Sequence, residues 1–369
     1  MRIAFVSPFI YWYRRGIENF TLELAKELIK INNDMTVTIL TWQGNNKRQI
    51  SYLSDRLLLV KVPYSRYFQA NIAAIFYWTF FLKNKYDIIN IFFARYGEAK
   101  ALTALGLFRQ QIFNIIFHYP YSQVLHRYKE FNKYNLINKA AKIISVSKFV
   151  ADELKNFYGR ESEVIYNGFN NDYPVISSGE KESRRSEMNF SPKDKILLSV
   201  AALEERKGVD KVIKIMPLLK KKIPGLKYIV LGEGPYRPKL ENLIKEMNLE
   251  KEVVLKGETD NPGRFYSIAD VFILLSQGEA FALAPIEAMG QGLPVVASRV
   301  RPFDEVISDK VGVLVNDNEP REIEAALEKL FLDDTLRQKM GQEARSLAVK
   351  NFTWEKIAFQ YNELFYSQI

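Results

Sequence analysis

Short runs of apolar, β-branched and aromatic residues recur through the first half of the chain: RIAFVS from Arg2, MTVTIL from Met35, LLLV from Leu57, DIINIF from Asp87, IFNIIF from Ile112 and KIISVS from Lys142. They are nearly continuous rather than alternating, which is how strands read when both faces of a parallel sheet are covered. Between the first two, IENFTLELAKELIK sets Ile17, Phe20, Leu24 and Leu28 at spacings of three and four, which predicts a helix with one buried face. From Asn170 to Lys195 the periodicity fades into SSGEKESRRSEMNFSPKDK, polar and broken by Gly and Pro, and this stretch reads as a linker. The strand pattern then restarts with ILLSV, KYIVLG, EVVLKG, DVFILLS, LPVVAS and VGVLV, and helical sequence follows from Arg321 to the end. Two doubly wound α/β sheets in tandem are expected. Such sheets bind ligands beyond the carboxyl ends of their strands, and a cleft between two of them is a natural site.

The length agrees with two domains, since 369 residues exceed what one core serves. With no cysteine, the chain has no disulfide framework, thiolate nucleophile or cysteine-held metal, and two histidines leave little room for metal chemistry. The opening MRIAFVSPFI breaks at Pro8 and reads as a first strand rather than a signal peptide. The longest greasy stretch, Ile72 to Leu82, is too short to span a bilayer. A cytoplasmic protein is therefore expected. Up to Asp172 there are 23 Lys and Arg against 13 Asp and Glu, while the remainder has 29 against 30, so the whole basic excess lies in the first half. That half also holds 33 of the 49 aromatic residues, which suggests that it meets something anionic, such as a membrane surface, unless the charge is simply a solvated face.

Candidate chemistry concentrates between Ser276 and Val315, SQGEAFALAPIEAMGQGLPVVASRVRPFDEVISDKVGVLV. Glu279 follows the apolar strand Val271 to Leu275 and so sits at its carboxyl end. A helix is expected to start near Pro285, because proline's missing N–H has no partner in a first turn, and this puts Glu287 in that turn. Ala280, Ala282 and Ala284 keep the loop narrow. Two carboxylates eight residues apart suit the paired hydroxyls of a sugar or ribose, and helix N–H groups suit phosphates. Spacing alone equally allows Glu279 to be a loop charge and Glu287 a helix-stabilising one.

The segment resembles the donor-site signature of retaining glycosyltransferases of family 4: Glu279, seven residues, Glu287 with Ala288 and Met289, the Gly292 to Ser298 turn, and Glu305 to Ile307. LGEGP from Leu231, KGETDNPGRFYSIADVFILLS from Lys256, VSKFVADEL from Val146 and YNGFN from Tyr166 are similar to family sequence in the same order, so the resemblance covers essentially the whole chain. It implies the GT-B fold, two Rossmann-like domains facing a central cleft: an acceptor-binding domain over 1–172, a nucleotide-sugar domain over 173–352, and a C-terminal helix over 353–369 packing back on the first. By the same resemblance Glu287 binds the nucleotide ribose. Glu279 orients the donor sugar and helps stabilise the transition state. The backbone at Phe281, Ala282 and Leu283 lies near sugar and phosphates, and Gly232 joins the donor-binding residues.

Where the family has Gly-Arg-Leu and then Lys-Gly to hold the diphosphate, this chain reads SVAALEERKGVD: Lys207 and Gly208 match, but the arginine position is Ala202. Losing one of two such cations weakens leaving-group stabilisation, and Arg206 beside Lys207 is the candidate replacement, unless it is a solvated loop charge. In the first half, the family's Gly-Gly loop near donor phosphate is reduced to Gly16, between Arg15 and Ile17. Its neighbours Tyr11, Trp12, Tyr13, Arg14 and Arg15 suit a sugar or lipid, or packing on their own domain. His118 follows IFNIIF where family members carry a histidine beside the donor sugar, and is otherwise a capped strand end. His126 has no matching role. The aromatic stretch Tyr64 to Lys85 with basic flanks reads as a helix on an anionic bilayer or as a core helix.

The resemblance thus implies transfer from a nucleotide-diphosphate sugar, with retention, to a hydroxyl on a glycan or lipid-linked acceptor at the cytosolic membrane face. The leaving phosphate would accept the acceptor's proton. No Asp-x-Asp motif occurs, so neither metal nor cofactor is expected, and no nucleic-acid motif accompanies the basic half. The competing reading is a non-catalytic glycosyltransferase-like subunit with a weakened donor site.

Overall fold

The computed structural model describes residues 1–7, 16–43, 49–63, 86–92, 112–118, 136–171, 175–281 and 283–369. The chain divides into two units, Met1–Gly168 together with Trp354–Ile369, and Phe169–Thr353.

The first unit is built on β1 (Arg2–Val6), β2 (Thr36–Gln43), β3 (Gln49–Ser54), β4 (Leu57–Pro63), β5 (Ile88–Phe92), β6 (Ile112–Phe117), β7 (Lys142–Ser145) and β8 (Glu163–Val164). They lie in the order β3-β4-β2-β1-β5-β6-β7-β8, all parallel except β3, which runs antiparallel to β4 at the edge. The central strands β1 and β5 are buried almost throughout, as their continuous apolar sequence implied. Phe20, Leu24 and Leu28 of the helix Gly16–Ile31 are buried against this sheet. The final helix, Trp354–Tyr366, belongs to the same core: Trp354, Ile357, Ala358, Tyr361 and Phe365 form its apolar stripe, and Phe20 meets Trp354 edge-on at 5.4 Å.

The second unit carries β9 (Lys195–Val200), β10 (Leu226–Leu231), β11 (Val253–Gly257), β12 (Val271–Leu274), β13 (Val295–Ser298) and β14 (Gly312–Val315) in the order β11-β10-β9-β12-β13-β14, all parallel. Numbered from β9, this is the Rossmann order 3-2-1-4-5-6, so the winding reverses between β9 and β12. That reversal places the loops after those two strands at one crevice.

The stretch expected as a linker contains a helix, Ser178–Glu187. Its start was marked in the sequence by a capping box: the Ser177 hydroxyl accepts from the Glu180 N–H while the Glu180 carboxylate accepts from the Ser177 N–H. Apolar periodicity does not reveal it, because it packs through charge. Arg185 is buried, donating to Ile268 O and, at 2.8 Å, to Asp270, while Lys181 donates to the other Asp270 oxygen at 2.8 Å. Asp270 also accepts from the Ile196 N–H, tying the helix to the starts of β9 and β12. The helical sequence expected from Arg321 onward forms three helices, Pro320–Leu332, Asp334–Asn351 and Trp354–Tyr366, the second capped by Asp333.

Burial would raise the Asp270 pKa, but Lys181, Arg185 and the hydrogen bonds around it hold the carboxyl below its usual range. Its contribution to stability is therefore present above the ordinary carboxylate pKa and is lost as pH falls through the lower folded value. Asp270→Ala strands two cations and is expected to cost about 3–5 kcal/mol in urea denaturation near neutral pH. The gap to the parent protein should narrow on acidification.

Candidate functional site

At the crevice between β9 and β12 the two loops are held against each other by backbone. Gly208 adopts φ +67°, and a Cβ there would lie 2.3 Å from Leu275 O. No other residue type allows that approach without displacing the strand end. The Gln277 N–H donates to Arg206 O at 2.8 Å across the same seam. With the backbones fixed, the Lys207 ammonium and the Glu279 carboxylate form an ion pair, both largely buried. Arg206 lies alongside, donating to Glu204 at 2.8 Å and to Gly278 O at 3.1 Å, with its guanidinium 3.9 Å from Glu279. The structure therefore gathers three of the residues singled out in the sequence. Ala202, at the loop's start, leaves that position without a side chain able to hold charge.

The loop after β10 leans on the same seam. Gly232 has φ +135°, and a Cβ on it would lie 1.9 Å from Ala201 O, while the Leu203 N–H donates to Glu233 O. Gly232 thus shapes the loop around Ala202 through its backbone.

The helix after β12 starts at Leu283, two residues earlier than Pro285 suggested, so Glu287 is its fifth residue and lies past the first turn. Proline is accommodated at the third position because the first four helical N–H groups have no intrahelical acceptor. Phe281 is buried against Phe352, ring centroids 6.2 Å apart, and Leu283 opens the helix. Ala282 lies outside the described residues.

Glu287 retains some exposed surface, yet burial pushes its carboxyl up to about 7, opposed by a hydrogen bond from the Tyr266 hydroxyl at 2.9 Å. Among the described residues no cation pairs with it. Tyr266, buried on the helix Gly263–Ile268, was not singled out in the sequence. Its only signal was its place in the run before β12, whose register with Glu287 becomes visible only in three dimensions.

In the first unit, His118 follows β6 and is buried, its ring 4.6 Å from that of Phe20. Burial drives its pKa down to about 3, and its Nε2 has no hydrogen-bond partner among the described residues. Gly16 is the first residue of its helix. The aromatic and basic residues from Tyr11 to Arg15, His126 and the stretch Tyr64 to Lys85 lie outside the described residues.

Comparison with known proteins matches both units. Residues 180–347 match the family described as Glycosyl transferases group 1, and residues 14–173 match Glycosyltransferase Family 4. Over 234 residues the chain is 26% identical to N-acetyl-alpha-D-glucosaminyl L-malate synthase of Bacillus anthracis, covering 63% of this chain and 58% of that one. The chain spans less than two thirds of the length of the curated relatives it matches. Among solved structures, sucrose-phosphate synthase from Thermosynechococcus elongatus superposes with a TM-score of 0.83 at 20% identity, covering 99% of this chain and 98% of that one. The Anabaena HepE protein, solved in complex with UDP and glucose, superposes with a TM-score of 0.80 at 19% identity, covering 99% of each chain. These likenesses show the GT-B fold, and with both units matched the chain belongs to the group 1, family 4 glycosyltransferases.

Proposed function

We propose that the chain is a retaining, metal-independent glycosyltransferase that moves a sugar from a nucleotide-diphosphate donor to an acceptor hydroxyl, with Phe169–Thr353 as the donor half. The observation that carries this reading is the Lys207–Glu279 pair at the crevice between β9 and β12. An ammonium has three donors, so Lys207 can keep Glu279 and still meet a diphosphate oxygen. There, with the N–H groups opening the helix Leu283–Gly290, it would neutralise charge developing on the leaving group. Glu279 would hold sugar hydroxyls and stabilise the transition state, and Arg206 would replace the cation absent at Ala202. Glu287 would accept hydrogen bonds from the ribose, with Phe281, Ala282, Leu283 and Gly232 contributing backbone around the donor.

Retention would follow from attack on the face the diphosphate leaves, the departing phosphate oxygen taking the acceptor's proton. His118, neutral down to about pH 3, fits a hydrogen-bonding role beside the sugar rather than a proton-transferring one. Gly16 would let backbone approach an anionic group. Among the described residues no three His, Asp or Glu side chains gather as a metal site. The HepE neighbour was solved with UDP and with UDP-glucose, so UDP-sugars are the first donors to try.

The basic excess before Asp172 supports an anionic or lipid-linked acceptor, reached by peripheral contact of the N-terminal half with an anionic, cytosolic membrane face. A relative whose named product contains malate, a dicarboxylate, accords with an anionic acceptor. Among the described residues no helix is long and apolar enough to cross a membrane. Ala202 favours one alternative, a non-catalytic subunit, and a thermal-shift panel of uridine, guanosine and adenosine diphosphate sugars decides between them. Stabilisation by one of the panel supports the enzyme, and stabilisation by none supports the subunit.

If ribose hydroxyls bind only the ionised Glu287, donor affinity rises with pH up to about 7 and levels off above it, falling about tenfold per pH unit well below that midpoint. Calorimetry with a nucleotide sugar, which lacks a phosphate monoester titrating in this range, should show this slope; Glu287→Gln should abolish it. Tyr266→Phe removes the bond that lowers the Glu287 pKa and should move the midpoint upward.

Arg206→Ala should weaken donor binding by about tenfold, as loss of a charge-assisted hydrogen bond does. Unchanged affinity would remove Arg206 from the site. Glu279→Ala should lower kcat by about 10²–10³-fold, in the range seen when one transition-state contact is removed.

A further inference from the structure

The second unit has a cavity of about 380 Å³ at the amino ends of its strands, bordered by Lys195 at the start of β9, Asp270 before β12, and Leu293 and Pro294 before β13. It is therefore at the opposite edge of the sheet from the crevice holding Lys207 and Glu279. Four cations line it: Lys181, Arg185, Lys195 and Arg337. Against them stand Asp270, Asp334 and the exposed Glu182.

The pairing within the cavity is uneven. Asp270 is shared by Lys181 and Arg185. Asp334 is held closely by Arg337, at 2.6 Å, while Lys195 reaches it only at 3.4 Å, and the Asp334 side chain is 63% exposed. Lys195 is thus the least committed cation of the four. Burial also pulls the Lys181 ammonium below its usual pKa, an effect that a second anion nearby would oppose.

Helix ends bias the cavity the same way. The opening turns of Ser178–Glu187 and Asp334–Asn351 line it, and helix N-termini favour anions. The competing carboxyl-terminal carbonyls are already occupied: Ile268 O by Arg185, Ala269 O by Lys181 and Gly290 O by Arg345. The volume exceeds a bare phosphate and falls in the range of small-ligand sites. Ser178, Ser267 and Gln338 in the lining supply hydroxyl and amide groups of the kind that recognise a polyol.

Two walls of the cavity are also the supports of Glu287. Tyr266, which lines it, donates to the Glu287 carboxyl, and Gln291 to Pro294 directly follow the helix that carries Glu287.

We propose that this cavity is a second ligand site, taking a phosphorylated sugar with its phosphate against Lys195, and that its occupancy is transmitted to Glu287 through Tyr266. The binding half stands on the cavity alone; the coupling half rests on Glu287 being a donor residue.

Calorimetry on the full chain with glucose 6-phosphate and with inorganic phosphate tests the binding half. Lys195→Glu should weaken glucose 6-phosphate by about tenfold or more, the loss of a charge-assisted contact, with Lys195→Met as the variant that removes the charge without reversing it. Lys207→Ala should leave this binding unchanged. Inorganic phosphate should bind more weakly than the sugar phosphate and lose affinity in the same variants. Equal binding by the parent and both Lys195 variants, loss on Lys207→Ala instead, or no binding by the parent at millimolar concentrations would each overturn the site. For the coupling, saturating glucose 6-phosphate should shift nucleotide-sugar affinity by about fivefold or more in the parent, the usual size of such effects, and not in Tyr266→Phe. An equal shift in both proteins, or none in the parent, would overturn the coupling. Failure of every nucleotide sugar to bind would refute the donor reading, and the coupling with it, while the Lys195 result would still decide the cavity.

Discussion

The approach of Gly208 to the carbonyl of Leu275 is the constraint on which the candidate site depends. A parallel sheet wound in both directions leaves a crevice where the winding reverses, but it does not by itself fix the loops that border it. Here a left-handed glycine lets one loop touch the end of the neighbouring strand, and the Gln277 to Arg206 hydrogen bond closes the seam. The Lys207–Glu279 pair follows from that contact, because both side chains leave backbone already held in place. Gly232 extends the arrangement to the loop after β10.

Two carboxylates in the same unit show how environment sets the ionisation of an acid. Asp270 has two cations and a backbone N–H, so it stays ionised and ties the helix Ser178–Glu187 to the sheet. Among the described residues Glu287 has a phenol and no cation as partner, and burial lifts its pKa to about 7. A carboxyl left so poorly compensated is poised to gain partners, which is what ribose hydroxyls would offer.

The central strands were legible in the sequence because burial on both faces writes a continuous apolar run, as in DIINIF and DVFILLS. The elements that escaped lie where burial does not write such a run. Strand β3 is an edge strand that leaves Ile50, Tyr52 and Leu53 exposed, and β8 has two residues. The helix Ser178–Glu187 packs through Arg185 and Lys181, so hydrophobic periodicity misread it as a linker even though its capping box was present. At the site, Lys207, Glu279 and Glu287 carried motif signals, whereas Tyr266 acts through a partner 21 residues away and left no local pattern.

The most direct test of the central claim is a crystal structure of the full chain with a nucleotide sugar bound. The account expects the diphosphate at Lys207 and the helix start at Leu283, the ribose hydroxyls on Glu287 and the sugar against Glu279. A nucleotide seated elsewhere, with Lys207 and Glu287 untouched, would contradict it.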